Sequence, residues 1–287
     1  MGEQTFMFCV GATKAGTSWL FDHLYSHPEA QLRAVKELHY FDALDSDNAG
    51  WQKKQHQAAL AAAQADVATG KAGDYKRALV QDLENWIPIC DGQGNDAASD
   101  AAYLDYVTKG ADDARLVGDI TPAYGLLSEK MLSRMAALTD KVRFVYLMRD
   151  PVDRIWSNIR MVAGGQGKAA LEQKVEGVLN GTAVNILERS NYRRTLNRLS
   201  RAAPTGALHI EYYERLFTPE AIERLSAFLG ITPAQAQFDR VVHKSPQADL
   251  TDELRGKLKA ALNPQYNFVE KFMGELPDEW TQKMVNV

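Results

Sequence analysis

The stretch Gly11-Ala12-Thr13-Lys14-Ala15-Gly16-Thr17-Ser18 sets one lysine among small residues, and it is the first place where this chain could do chemistry. It follows the apolar run Thr5–Val10 and precedes a helical pattern carrying Trp19, Leu20 and Leu24. A glycine-rich turn between a strand and a helix gathers backbone N–H groups and the positive end of the helix dipole around one point, which makes a seat for an anion. Gly11, four residues, Gly16 and a final Ser18 nearly reproduce the spacing of a nucleoside-triphosphate loop, but Thr17 stands where that loop needs lysine. Lys14 lies three positions earlier, where a cation meets a different oxygen of the bound group, and this points away from ATP. The plainer alternative is a tight turn with a solvent-exposed lysine.

Two further segments carry reactive types. The apolar run Val142–Met148 ends in Arg149-Asp150-Pro151-Val152-Asp153-Arg154-Ile155-Trp156-Ser157. Asp150 suits a helix cap and Pro151 a first turn, so those two alone describe an ordinary strand-to-helix junction. Arg149 is different: at the C-terminal end of a parallel strand its guanidinium can take a phosphate bidentately, with Ser157 adding a hydroxyl about two turns into the helix. Lys36-Glu37-Leu38-His39-Tyr40-Phe41-Asp42 offers two candidate proton acceptors, Glu37 and His39. A carboxylate merely paired with Lys36 and a packed histidine are the bland readings of the same residues.

The elements that must position these groups follow from hydrophobic patterning. Short apolar runs at Thr5–Val10, Arg115–Gly118, Val142–Met148 and Ala207–Tyr212 read as strands, and helical patterns follow at Trp19–Pro28, from Val152 and at Pro219–Leu229. A second strand or extended segment is expected before Lys36. Alternation of this kind predicts an α/β fold with a parallel sheet covered on both faces. Residues 43–114 form an insertion with a helix-favouring stretch, Gln55–Ala68, and a polar loop, Asp91–Asp100, and are expected to make a mostly helical cap. Residues 164–182, which open with Gly164, Gly165 and Gly167, read as a mobile loop or short helix near a site entrance, or as a solvated connection. Neither an internal repeat nor an interdomain linker is evident, so the expectation is one domain over 1–287.

Bulk properties exclude several classes. A net charge of −4 over 287 residues, with no long single-sign run, gives no support to nucleic-acid binding, so an anionic ligand must be held by a local basic pocket. Two cysteines, Cys9 and Cys90, are too few for a disulfide framework. With no charged and apolar leader at Met1–Thr5 and no long apolar run, the expected location is cytoplasmic, without a membrane span. Oligomeric state is not legible.

Thr13-Lys14-Ala15-Gly16-Thr17-Ser18-Trp19 resembles the 5′-phosphosulfate loop of the sulfotransferases that use 3′-phosphoadenosine 5′-phosphosulfate (PAPS), and is most similar to the heparan-sulfate and related carbohydrate branch. The resemblance implies a P-loop-like three-layer α/β/α fold, PAPS as donor and adenosine 3′,5′-bisphosphate (PAP) as product, with no metal needed. It places Lys14 at the phosphosulfate bridge and Gly16, Thr17 and Ser18 on the 5′-phosphate, with Ala15 and Trp19 completing the cofactor segment. The Arg-Asp-Pro…Arg…Ser pattern resembles the family's 3′-phosphate motif, implying that role for Arg149 and Ser157. Lys36–Asp42 is similar to a family Lys-Glu-x-His-Phe-Phe segment whose glutamate is the base, which favours Glu37 over His39; His39 remains as a rival or as an acceptor contact.

Gly118-Asp119-Ile120-Thr121-Pro122-Ala123-Tyr124 is similar to a family Glu-Lys-Ser/Thr-Pro-Ala-Tyr element. Ile120 stands where heparan-sulfate enzymes carry lysine, which disfavours a polyanionic acceptor. Thr121 and Tyr124 are expected to line the acceptor side, although a turn and a core tyrosine explain them as well. Tyr192 resembles a position near the nucleotide, and His243, Lys244 and Ser245 lie where the family has a loop closing over it. The neighbouring Arg193, Arg194, Arg198 and Arg201 read as a solvated face. The expected activity is sulfuryl transfer to a hydroxyl or amine of a carbohydrate-like or other small acceptor. A P-loop kinase or NTPase, or a nucleotide-binding protein without turnover, are the competing readings.

Overall fold

Five short runs of strand-forming residues pair into one parallel sheet in the computed structural model, which describes residues 4–238 and 248–285. They are β1 (Thr5–Cys9), β2 (Ala30–Leu32), β3 (Leu116–Ile120), β4 (Val142–Met148) and β5 (Leu208–Tyr212), in the order β2-β3-β1-β4-β5. Every residue of β1 and β3 is buried, as strands covered on both faces require. The chain leaves β1 in one direction across the sheet and leaves β4 in the other. Right-handed crossovers in opposite directions put the helices that follow, α1 (Thr17–Tyr25) and α7 (Pro151–Ala163), on opposite faces. The reversal lies between β1 and β4, which pair directly through Phe6–Cys9 and Val142–Val145, and a crevice opens at their C-terminal ends.

The insertion is helical, as its composition predicts. It holds α2 (Tyr40–Asp45), α3 (Ala49–Ala68), α4 (Asp74–Asp91) and α5 (Ala97–Thr108). The polar stretch expected as a loop over Asp91–Asp100 is shorter than that: Asp96 caps α5 by accepting the Ser99 N–H, so helix resumes at Ala97. Residues 164–182 are also more ordered than a loop, with α8 over Lys168–Leu179. After β3 come a single-turn 3-10 helix over Pro122–Leu126 and α6 (Glu129–Ala136). Then α9 (Val184–Glu188) and α10 (Tyr192–Ala202) lead to β5, and α11 (Tyr213–Leu216), α12 (Pro219–Leu229), α13 (Asp252–Met273) and α14 (Asp278–Val285) complete the chain. Among the described residues no helix is long and apolar enough to cross a membrane.

One aromatic cluster joins the sheet to the insertion. Phe8 on β1 meets Phe41 of α2 edge-on at 5.6 Å and stacks with Phe144 of β4 at 5.7 Å, while Tyr40 stacks on Tyr103 of α5 at 4.6 Å. Burying rings of this size dominates local stability and fixes where α2 begins, hence where Glu37 and His39 sit. β3 presses so closely on β1 that a Cβ at Gly118 would stand 2.2 Å from the Met7 carbonyl oxygen. Gly118→Ala is therefore expected to destabilise by about 2 kcal/mol or more through overpacking. Gly50→Ala, where a Cβ meets nothing within 4 Å, should change stability by less than about 0.5 kcal/mol. Thermal melts of the two variants check the contrast, and equal melting temperatures would count against the β1–β3 fit.

Candidate active site

The glycine loop connects β1 to α1 and is bonded to the neighbouring strand: Ala12 N–H donates to the Leu147 carbonyl at 2.6 Å and Leu147 N–H to the Gly11 carbonyl at 2.7 Å. Gly16 closes the loop as the residue capping α1 with φ of +95°, and a Cβ there would lie 3.1 Å from both Leu216 and Tyr213. Only glycine satisfies both the backbone angle and the space. Thr17 and Ser18 then open α1, whose first N–H groups have no partner inside the helix.

Arg149 leaves the end of β4 directly beside this loop. Its guanidinium donates to the Lys14 carbonyl at 3.3 Å and lies over the Tyr213 ring at 4.5 Å, while its Nε is buried without a partner. Among the described residues the Lys14 ammonium has only the Met161 sulfur, at 3.9 Å, as a neighbour of hydrogen-bonding type. Burial lowers the Lys14 pKa, and the charges of Arg149, Arg160 and Lys36 lower it further. Gathered like charges with a buried guanidinium N–H that has no protein partner have the chemistry to hold an anion, and a doubly phosphorylated donor fits it.

Ser157, buried on α7, is on the helix that Arg149 leads into. Asp150 caps that helix by accepting the Asp153 N–H at 2.9 Å, with Pro151 in its first turn. Arg160 belongs to the same group and escaped the sequence reading. Its side chain acts on Lys14 electrostatically and its Nε is buried without a partner. A signal existed: it stands three residues after Ser157, one turn along the same helix face.

Glu37 and His39 form a charged chain with their neighbours. Lys36 Nζ donates to one Glu37 carboxylate oxygen at 2.6 Å, His39 Nε2 lies 3.5 Å from the other, and His39 Nδ1 is 2.7 Å from Asp42. Burial opposes the Glu37 charge, but His39 and Lys36 outweigh it and hold its pKa at about 2. Burial likewise opposes the His39 charge, but Asp42 and Glu37 raise its pKa to about 9. At neutral pH Glu37 is thus ionised and His39 keeps its proton. Lys14, Glu37 and His39 have φ of 72°, 70° and 56°, a left-handed backbone that costs side-chain-bearing residues energy and gathers at functional positions.

Thr121 and Tyr124 do not line the acceptor side as expected. Both are fully buried and donate to Asp119, at 2.7 Å each, and Tyr103 donates to the same carboxylate at 3.1 Å. The Tyr124 oxygen also accepts the Tyr40 N–H at 3.0 Å, so this network steadies the backbone next to His39 from behind. Ala123, between them, is the residue that faces the cavity. Tyr192 is also fully buried; it donates to the Arg149 carbonyl at 2.6 Å and accepts the Arg149 N–H, and so holds Arg149 rather than a ligand. Trp19 is buried too, its indole N–H donating to the Gln237 carbonyl at 3.0 Å. His243, Lys244 and Ser245 lie outside the described residues.

Beside the loop is a cavity of about 1020 Å³ into which Thr13, Glu37, His39, Trp51, Asn158 and Arg189 project. The insertion supplies one wall through α3, where Trp51 is 58% exposed, and α9 supplies the opposite wall. The 164–182 region is not at this entrance: α8 borders a separate cavity of about 410 Å³ with Trp156 and Arg160.

The raised His39 pKa and lowered Glu37 pKa make opposite contributions with pH. The His39 contribution to stability is complete below its ordinary 6.5 and lost as pH rises through about 9. The Glu37 contribution is complete above its ordinary 4.5 and lost as pH falls towards about 2. An NMR titration is expected to show the His39 imidazole losing its proton near pH 9, with a lower midpoint in Glu37→Gln. A wild-type midpoint near 6.5 would refute the charged chain.

Comparison with known proteins came down on one side. No curated protein matches the sequence. The fold is shared with the crystal structure of a sulfotransferase from Alicyclobacillus acidocaldarius, with a TM-score of 0.64 and 17% identity over 98% of this chain and 100% of that one. It is also shared with the sulfotransferase domain of the Synechococcus PCC 7002 olefin synthase, with a TM-score of 0.53 and 16% identity over 96% of each chain. The model of the sulfotransferase family matches residues 7–235, a span that takes in the glycine loop, the Glu37 segment and the Arg149–Ser157 helix. The chain belongs to the sulfotransferase family and is a sulfotransferase enzyme.

Proposed function

We propose that this enzyme transfers a sulfuryl group from PAPS to a hydroxyl, or an amine, of a carbohydrate-like or other small acceptor. The observation that carries the reading is the meeting of Arg149 with Lys14 at the β1–β4 crevice, where the Arg149 guanidinium reaches the Lys14 carbonyl and keeps a buried Nε without a partner, and where burial, then the charges of Arg149, Arg160 and Lys36, lower the Lys14 pKa. A donor with phosphates at both ends of one adenosine satisfies these groups together. Lys14, Ala15, Gly16, Thr17 and Ser18 would hold the phosphosulfate end, and Arg149 with Ser157 the 3′-phosphate. A kinase reading lacks its lysine, because position 17 is a buried threonine.

When bound, the donor supplies an activated sulfur. In the balanced step the acceptor oxygen bonds to that sulfur as the bond from sulfur to the bridging phosphate oxygen breaks. The acceptor's proton would pass to a Glu37 carboxylate oxygen, and the departing electron pair would stay on the bridging oxygen, whose charge the Lys14 ammonium would offset. Glu37 suits the role because it is ionised and faces the cavity. His39 does not: its proton is held between two carboxylates. While Lys36 pairs with Glu37 the carboxylate is a weak base, and an arriving anion that draws Lys36 away would strengthen it. The acceptor cavity, with carboxylates at Asp42 and Asp45 and no lysine at position 120, suits an acceptor that is not a polyanion.

PAP is expected to raise the melting temperature and Mg-ATP to leave it unchanged. At a hundredfold excess over Kd the gain is about 2.7 kcal/mol, on the order of 4–5 °C for a chain of this size. Glu37→Gln should keep that shift but lose about a hundredfold to ten-thousandfold in turnover, the usual worth of a general base. Turnover is read as the mass gain of one SO₃ on the acceptor. A Mg-ATP shift without a PAP shift would overturn the donor reading, and wild-type turnover in Glu37→Gln would move the base elsewhere.

A further inference from the structure

Arg154 is among the largest fully buried side chains of the protein, and it carries a charge. It sits on α7 between Arg149 and Ser157 and reaches three separate pieces of chain. Its Nε donates to the Ser190 hydroxyl in the turn between α9 and α10, one Nη to the Ile186 carbonyl on α9 at 2.7 Å, and the other Nη to the Thr13 carbonyl in the glycine loop at 3.4 Å. All three acceptors are neutral. Among the described residues no carboxylate is paired with it, and the cations Arg189 and Arg149 act against its charge. Burial pushes its guanidinium down to about 10, with Tyr192 and Tyr146 opposing, so it is still fully charged at neutral pH.

Holding a guanidinium in the interior against neutral acceptors alone is costly. Retention of the charge therefore asks for a compensating role. The contacts point to one, because Thr13 adjoins Lys14 in the anion seat and both Thr13 and Ile186 line the acceptor cavity. A single rigid fork thus ties the donor loop to the acceptor wall. Its charge lies one peptide behind the point where Lys14 and Arg149 meet, in a region where water cannot screen it.

We propose that Arg154 is a positioning residue for sulfuryl transfer, fixing the donor loop against the acceptor wall and lending a buried, unpaired charge to the anion seat whose counter-ion is the bound donor. The inference rests on the donor reading above. It gives a signature that a packing role does not: restoring the charge alone, with lysine, recovers part of the anion affinity.

The test compares wild type, Arg154→Met and Arg154→Lys by calorimetric titration with PAP and by thermal melting without ligand. Wild-type binding comes first, since a wild type that fails to bind PAP sinks the donor reading itself. With that binding in hand, Arg154→Met is expected to raise the PAP Kd at least tenfold, and its ligand-free melting temperature is expected to fall because three acceptors lose their donor. Arg154→Lys, which keeps the charge but not the fork, should recover part of the affinity. A Met variant that binds PAP as wild type does overturns the inference and leaves the donor reading standing. Should the Met variant not fold, Ser190→Ala serves instead, since it removes one anchor of the fork without touching any charge. It should raise the PAP Kd severalfold, and an unchanged Kd overturns the inference equally.

Discussion

The direct pairing of β1 with β4 is the constraint on which everything else depends. It brings the glycine loop and Arg149 to one crevice and forces Lys14, Arg149 and Arg160 into mutual repulsion, with Arg154 close behind. The repulsion is offset by burial of the strands on either side, β1 buried throughout and β4 at every residue but Arg143. The like charges thereby gather at the C-terminal edge of the sheet. The bonds between Ala12, Gly11 and Leu147 keep the loop from relaxing away from it.

The acid–base side is held by different physics. Lys36, Glu37, His39 and Asp42 alternate in sign along a few residues, and two of them sit in the left-handed region of backbone space. Such strain persists only if the surroundings over-determine it. Here the aromatic contacts of Phe41 and Tyr40 pull α2 onto the sheet, and Asp119, through Tyr124, fixes the Tyr40 N–H. A buried carboxylate receiving three hydroxyl protons is itself raised in pKa by burial, and each donor lowers it back towards the charged form. The network serves as a rigid backing rather than as a site.

Legibility in the sequence followed how local each physical cause was. The strand at Val142–Met148, the Asp150 cap and the glycine loop were readable because their signals lie within a few residues of their effects. Gln55–Ala68 was readable as helix for the same reason, although its true start at Ala49 was not. The end of the expected loop near Asp100 was missed because one cap, Asp96, restarts the helix earlier than the run of polar residues suggests. Thr121, Tyr124 and Tyr192 were misplaced for a common reason. Each is a polar side chain whose partner, Asp119 or the Arg149 backbone, decides whether it faces a ligand or the interior. Arg160 was missed because its place one turn after Ser157 does not by itself show that its charge acts on Lys14.

Taken by itself, the order of residues determined the α/β alternation, the departure from a nucleoside-triphosphate loop at Thr17, and the candidacy of the glycine loop, Glu37, His39 and Arg149. Each of these is a statement about backbone propensity or side-chain chemistry within a short window. Only the tertiary structure decided that β1 and β4 are neighbours, that Lys14 and Arg149 meet, that His39 is held between two carboxylates, and that Arg154 bridges the donor loop and the cavity wall. Charge–charge and hydrogen-bond energies depend on separation in space and on burial, and neither quantity is written in the distance between residues along a chain.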